Sequence, residues 1–262
     1  MFGILHGAID HVIYRQEQTR SALLFYSFYF GLMLVYFAFW TYFPIISMLL
    51  FLVLSAFHFG QSQFPNLAIN IKWQRVLLYQ SWGLSILSGL VIFNYDQIYI
   101  LAANNQDILA LLPAFQYQIN LVVLILSSAA TLAILINLKV RNRISRHSFF
   151  KEILLFGLIH LSFLTLPLLV GFTIYFSTLH SMQVLSEEFG YLKKKMLQLT
   201  VSDFVFMILP TLVSIIGLGA LLILSYFGII SMSATFLVFV VISILTLPHS
   251  IVMDDFYFKS SK

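Results

Sequence analysis

From residue 22 to residue 256 the chain is a succession of apolar runs, most of them about twenty residues long, broken by short polar stretches. No other feature constrains the fold as strongly. A helix needs roughly 20 apolar residues to cross the hydrocarbon of a bilayer. Within that hydrocarbon every backbone N–H and C=O must find a partner inside the protein, so runs of this length read as transmembrane helices. We read a short first segment at 2–14 and spans at 22–43, 44–64, 73–93, 117–138, 150–166, 168–189, 204–227 and 234–256. The expected fold is all-α, a polytopic membrane helix bundle of about eight transmembrane helices plus a short first helix, forming one domain over residues 1–262. Pro44 and Pro167 follow directly on the preceding runs, where a fixed φ and a missing N–H suit the start of a new helix. Pro248 lies inside the last run, where a kink is expected. Residues 94–113, less apolar and containing "ANNQD", are expected to form an outer loop with a short interfacial helix.

The charges test this division. Only 9% of residues are charged, against about 25% in soluble domains. Arg15 and Arg20 precede the first long span. Lys72 and Arg75 come two spans later, then Lys139, Arg141, Arg143, Arg146 and Lys151, then Lys193, Lys194 and Lys195, and finally Lys259 and Lys262. All 14 basic residues therefore fall on one side of the membrane, while Asp96 and Asp107 mark the other. The positive-inside rule places the basic loops and the C-terminus in the cytoplasm of a multi-pass protein of the cell's inner (plasma) membrane. The net charge of +4 then reflects topology and implies no nucleic-acid partner. The opening "MFGILHGAIDHVIYR" lacks a basic n-region and a cleavage site. With no cysteine, disulfides, thiolate metal sites and iron–sulfur clusters are excluded.

Seven histidines stand out in so apolar a chain. His147 falls in a basic loop, and His11 lies near the inner interface. The other five lie within spans. His6 is nine residues from Arg15, His58 seven from Pro65, His160 nine from Lys151, His180 seven from Glu187 and His249 ten from Lys259. At about 1.5 Å per residue, all five sit roughly 10–15 Å from the cytoplasmic face. The plainer reading of any one intramembrane histidine is an interhelical hydrogen bond. A set of them at one depth points to a shared site, because ionisable groups there are costly. Imidazole suits iron, copper or zinc and not magnesium or calcium. Asp10 follows His6 by four residues and Asp254 follows His249 by five, so both are candidates to orient ligand rings. Paired "HxxxH" and "HxxHH" boxes of membrane di-iron desaturases are absent. So is the intramembrane lysine that an opsin needs.

Four segments, "HGAID" from His6, "FHFGQSQF" around His58, "YFSTLHS" ending at His180–Ser181 and "LTLPHSIVMDDF" around His249, resemble in order the Brp/Blh family of bacterial and archaeal β-carotene 15,15′-dioxygenases. The resemblance runs from residue 6 to residue 256. It implies an enzyme that uses O2 to split the central 15,15′ double bond of β-carotene into two molecules of retinal. It implies Fe(2+) as cofactor, the bilayer as the substrate's medium and a functional link to a retinal-binding rhodopsin. The metal ligands and catalytic residues implied are His6, His58, His180 and His249; by spacing, Asp10 and Asp254 are the candidates to orient them, and His160, outside the family pattern, is a spare ligand candidate by its depth. The chain departs from the pattern in three places. Only five residues precede His6, so either the first helix is short or the start is truncated. Val184 stands where the third motif often carries a second histidine. Gln61 and Gln63 occupy the region where an aspartate often follows HFG. The aromatic-rich run "FYSFYFGLMLVYFAFWTYF" is a candidate polyene lining, with lipid contact as its plainer role. Two other classes use intramembrane histidines, a metal or proton transporter and a haem-binding membrane protein. A transporter predicts polar groups through the whole membrane depth, and a haem protein predicts paired histidines with a Soret band.

Overall fold

The structure is a computed structural model and describes residues 6–17, 22–65, 67, 69, 71–209 and 211–260. It is helical throughout, with no β-strand among the described residues. A 3₁₀ turn His6–Ile9 leads into α1 (Asp10–Glu17). Then come α2 (Ala22–Tyr42), α3 (Pro44–Gln63), α4 (Lys72–Phe93), α5 (Tyr95–Ala103) and α6 (Gln106–Leu109). A 3₁₀ turn precedes α7 (Tyr117–Val140), which is followed by α8 (Arg146–Thr165) and α9 (Leu168–Ile174). A π-helical segment, Tyr175–Ser181, joins α9 to α10 (Met182–Lys195). The chain continues with α11 (Val201–Ile208), α12 (Thr211–Tyr226) and α13 (Ala234–Ser260).

Among the described residues, eight helical stretches are long and apolar enough to cross a membrane. They reproduce the expected spans, with most ends shifted by a few residues. The sixth span runs through the π-helical segment, which was not expected. The seventh covers Val201–Tyr226, and Pro210 within that range lies outside the described residues. The last helix continues through Pro248 without ending. Residues 94–113 hold two helices and a 3₁₀ turn where one interfacial helix was expected.

Local chemistry explains where helices begin. Pro44 occupies the first turn of α3 after the single linking residue Phe43. The Ser145 hydroxyl accepts from the Ser148 N–H at the start of α8. Thr200 and Asp203 form a reciprocal capping box at α11, which satisfies amides that have no intrahelical partner.

The packing centres on α3, which lies against α4 on one side and α13 on the other. Close approach of α3 and α4 depends on two glycines. A Cβ at Gly60 would run into the backbone of Tyr79, and one at Gly83 into the backbone of Ala56. In lipid, where helix association relies on close packing, such small residues bring backbones together. A hydroxyl seam then ties α4 to α7, with Thr131 donating to Ser81 at 3.0 Å and Ser85 meeting Ser128 at 2.7 Å. On the other flank, the Trp40 indole donates to Ser243 Oγ at 2.6 Å, joining α2 to α13.

Candidate metal centre and cavity

His58 projects from α3, His180 from the π-helical segment and His249 from α13, and all three are at most 4% exposed. The His58 ring lies 5.0 Å from that of His180 and 5.0 Å from that of His249, nearly perpendicular to both. Three imidazoles that are distant in sequence thus meet at one point. The π-helical segment contributes to this. Its wider turn positions His180, and the Ser181 hydroxyl donates to the Phe176 carbonyl at 2.7 Å. Such turns recur at functional sites in helices.

Two of the rings are held by their Nδ1 atoms. His249 Nδ1 is 2.9 Å from Asp10 Oδ1, and the Tyr29 hydroxyl donates to Asp10 Oδ2 at 3.0 Å. His180 Nδ1 is 2.9 Å from Ser62 Oγ. A histidine anchored at Nδ1 presents Nε2 to an ion, an arrangement common around bound metals. Phe176 stacks on His180 at 5.3 Å and 15°, which further limits that ring.

The polar end of α3 fastens this cluster to its surroundings. Gln61 donates to Asp254 Oδ1 at 2.9 Å, Gln63 donates to Glu152 Oε2 at 2.6 Å, and Gln183 donates to the Ser62 carbonyl at 2.6 Å. The run "GQSQ" therefore links α3 to α13, to α8 and to α10. Gln61 and Gln63, which stand in the region where the family often carries an aspartate after HFG, supply two of these links.

The residues singled out by sequence divide clearly. His58, His180, His249 and Asp10 come together. The backbone of Gly7 lies against the His249 ring, since a Cβ there would sit 3.5 Å from Nδ1. This places residue 6 beside the cluster, but the side chain of His6 lies outside the described residues. Asp254 is exposed and bonds Gln61, so Asp10 carries the contact to His249. His160 is not part of the cluster. It packs against Gly89 of α4, with Nε2 3.1 Å from Ser85 Oγ and Nδ1 2.8 Å from the Phe156 carbonyl. The interhelical hydrogen-bond role outweighs the ligand role for this residue. Val184 is fully buried in an apolar cluster with Ile9, Ile13 and Met253. Ser62 and Tyr29 were not foreseen. Ser62 had a faint signal as a hydroxyl inside a polar break, whereas Tyr29 is one aromatic among many in its run.

Among the described residues, no group of three or more His, Asp or Glu side chains is gathered to hold a metal ion as it stands. The two ring spacings from His58 nonetheless match what such an ion requires. A nitrogen bound at about 2.1 Å puts its ring centre about 3.2 Å from the ion, so neighbouring ligand rings lie roughly 5 Å apart. All-imidazole donors with anchored Nδ1 atoms fit a transition metal such as iron.

The three histidines line a cavity of about 510 Å³. Its walls are mostly apolar and aromatic, including Phe30, Met33, Phe51, Phe172 and Leu245. These features define a polytopic helical membrane protein with a buried three-histidine cluster lining an apolar chamber. The chain belongs to the β-carotene 15,15′-dioxygenase family, whose sequence model matches residues 1–257. No curated protein and no solved structure matches it.

Proposed function

We propose that this protein cleaves β-carotene at its central 15,15′ double bond with O2, releasing two molecules of retinal, and that Fe(II) held by His6, His58, His180 and His249 serves the reaction. The observation that carries this reading is the meeting of three buried imidazoles on the wall of an apolar cavity in a chain of this family. Iron bound there supplies the activation of O2. The protein's own part is positioning. The Asp10 carboxylate and the Ser62 hydroxyl fix the planes of His249 and His180. Phe59 and Phe176 pack on His180 and shield it from water. The aromatic and aliphatic walls take up a hydrocarbon that has no polar group to anchor it. Excluding water around the polyene also protects the reactive site from side reactions.

The reading also assigns the basic loops to the cytoplasm, which puts the histidine cluster in the inner half of the membrane. Retinal released there would be available to a retinal-binding rhodopsin in the same bilayer.

The test uses a bacterial host that accumulates β-carotene. Expression of the wild-type chain is expected to bleach the cells and yield retinal by HPLC, while His58→Ala leaves the pigment intact. Unchanged β-carotene despite membrane expression and supplied iron would refute the substrate and reaction together.

A further inference from the structure

The cavity has a mouth, lined by outward-facing residues of two apolar helices. Tyr26, Phe30 and Val213 line the same cavity as His58, His180 and His249. The same three residues are 42%, 56% and 73% exposed on the membrane-spanning stretches α2 and α12. A residue that both lines a chamber and faces outward marks its opening. Tyr26 and Phe30 lie about 6 and 12 Å along α2 from its first residue, within a stretch long and apolar enough to cross a membrane. The two helices that frame it each pack on α13, and the cleft between them leads to the cluster. Thr211, Val213 and Ser214 of α12 face the chamber.

The lining also discriminates chemically. Among the described residues, no lysine or arginine lines the cavity. Its one carboxylate, Asp10, is bonded to His249 and Tyr29. An anionic headgroup finds no lysine or arginine along this path to pair with, whereas a neutral hydrocarbon needs none.

We propose that the cleft between α2 and α12 is a lateral portal through which a neutral, extended isoprenoid hydrocarbon passes directly from the bilayer to the histidine cluster. This rests on the carotene reading for its occupant. The absence of cysteine from the chain permits a clean test. Val213→Cys is placed in lipid nanodiscs loaded with β-carotene, under anaerobic conditions so that binding is read without turnover. One sample is modified with a bulky benzyl methanethiosulfonate, and pigment retained per chain after recapture is measured by visible absorbance. Modification is expected to lower retained pigment at least tenfold, and reduction of the mixed disulfide is expected to restore it. Ile216→Cys, 70% exposed on the same helix but not lining the cavity, should bind alike whether modified or not. Equal retention by modified and unmodified Val213→Cys would overturn the portal, as would no retention by the unmodified protein. If unmodified protein retains β-carotene but yields no retinal when air and iron are admitted, the cleavage reading fails while the retention ratio still decides the portal.

Discussion

Replacing Asp10 by asparagine isolates the part played by a single carboxylate. Asp10 is 2% exposed and accepts from two groups, His249 Nδ1 at 2.9 Å and the Tyr29 hydroxyl at 3.0 Å. Asparagine keeps the shape but loses the charge, and its amide offers one acceptor where the carboxylate offers two. One of the two donors then meets an N–H₂ group. Losing such a partner of a metal-binding histidine lowers metal affinity about 10–100-fold. That range corresponds to about 1.4–2.7 kcal/mol at 1.36 kcal/mol per factor of ten. The assay is iron per purified chain, measured by elemental analysis across a series of chelator concentrations, with retinal formation measured in parallel. Asp10→Asn is expected to release iron at a chelator concentration at least tenfold below the wild-type value, and excess iron should recover part of its activity. Asp254→Asn, whose carboxylate is exposed and bonded to Gln61, should shift the midpoint less than threefold. An Asp10→Asn protein that keeps iron at the wild-type midpoint and turns over normally would show that the contact between Asp10 and His249 does not orient a ligand.

Further outcomes follow from the same geometry. Ser62→Ala removes the partner of His180 Nδ1 and is expected to weaken iron retention about tenfold, read in the same chelator series. His160→Ala should retain iron and cleavage activity but lower thermal stability in detergent by about 1–3 kcal/mol, because Ser85 loses a buried partner and Gly89 a packing contact. Gly60→Ala or Gly83→Ala forces a methyl group into the neighbouring backbone and is expected to cost at least about 1–3 kcal/mol, seen as loss of monodisperse protein on size-exclusion chromatography. Cysteines placed one at a time at Arg143 and at Asn104 should label from the cytoplasmic and the outer face respectively, and the reverse pattern would invert the assigned topology.

Much of this architecture was legible because a bilayer imposes few solutions. Run length and the one-sided placement of Lys and Arg located the spans to within a few residues at most of their ends. The common depth of the histidines foreshadowed their meeting. Depth alone could not separate His160 from the others, because it records height in the membrane and not the direction a side chain takes around its helix. That direction depends on the contact with Gly89 and Ser85. Likewise, spacing in sequence favoured Asp254 as a neighbour of His249, yet a helical offset of five residues turns the two side chains apart. Asp10 reaches His249 across 239 positions of sequence, a pairing that no local pattern encodes. The π-helical segment also left no clear signal, since its residues are as apolar as those of a regular span.

The π-helical segment gives the sixth span two independent phases. Each wide turn adds a residue to the circuit, so the part that the proposed topology puts on the cytoplasmic side, with His180, Gln183 and Glu187, is rotated relative to the outer part that begins at Leu168. The Thr178 and Ser181 hydroxyls donate to the carbonyls of Ile174, just before the segment, and Phe176, within it, which limits the cost of the altered backbone pattern. A one-residue deletion in Tyr175–Ser181 that restored a regular helix would leave every amino acid of the site present. It would nonetheless swing either His180 away from Ser62 or the outer half away from its packing, by about 100°. At this place in the chain, length is as binding a constraint as residue identity.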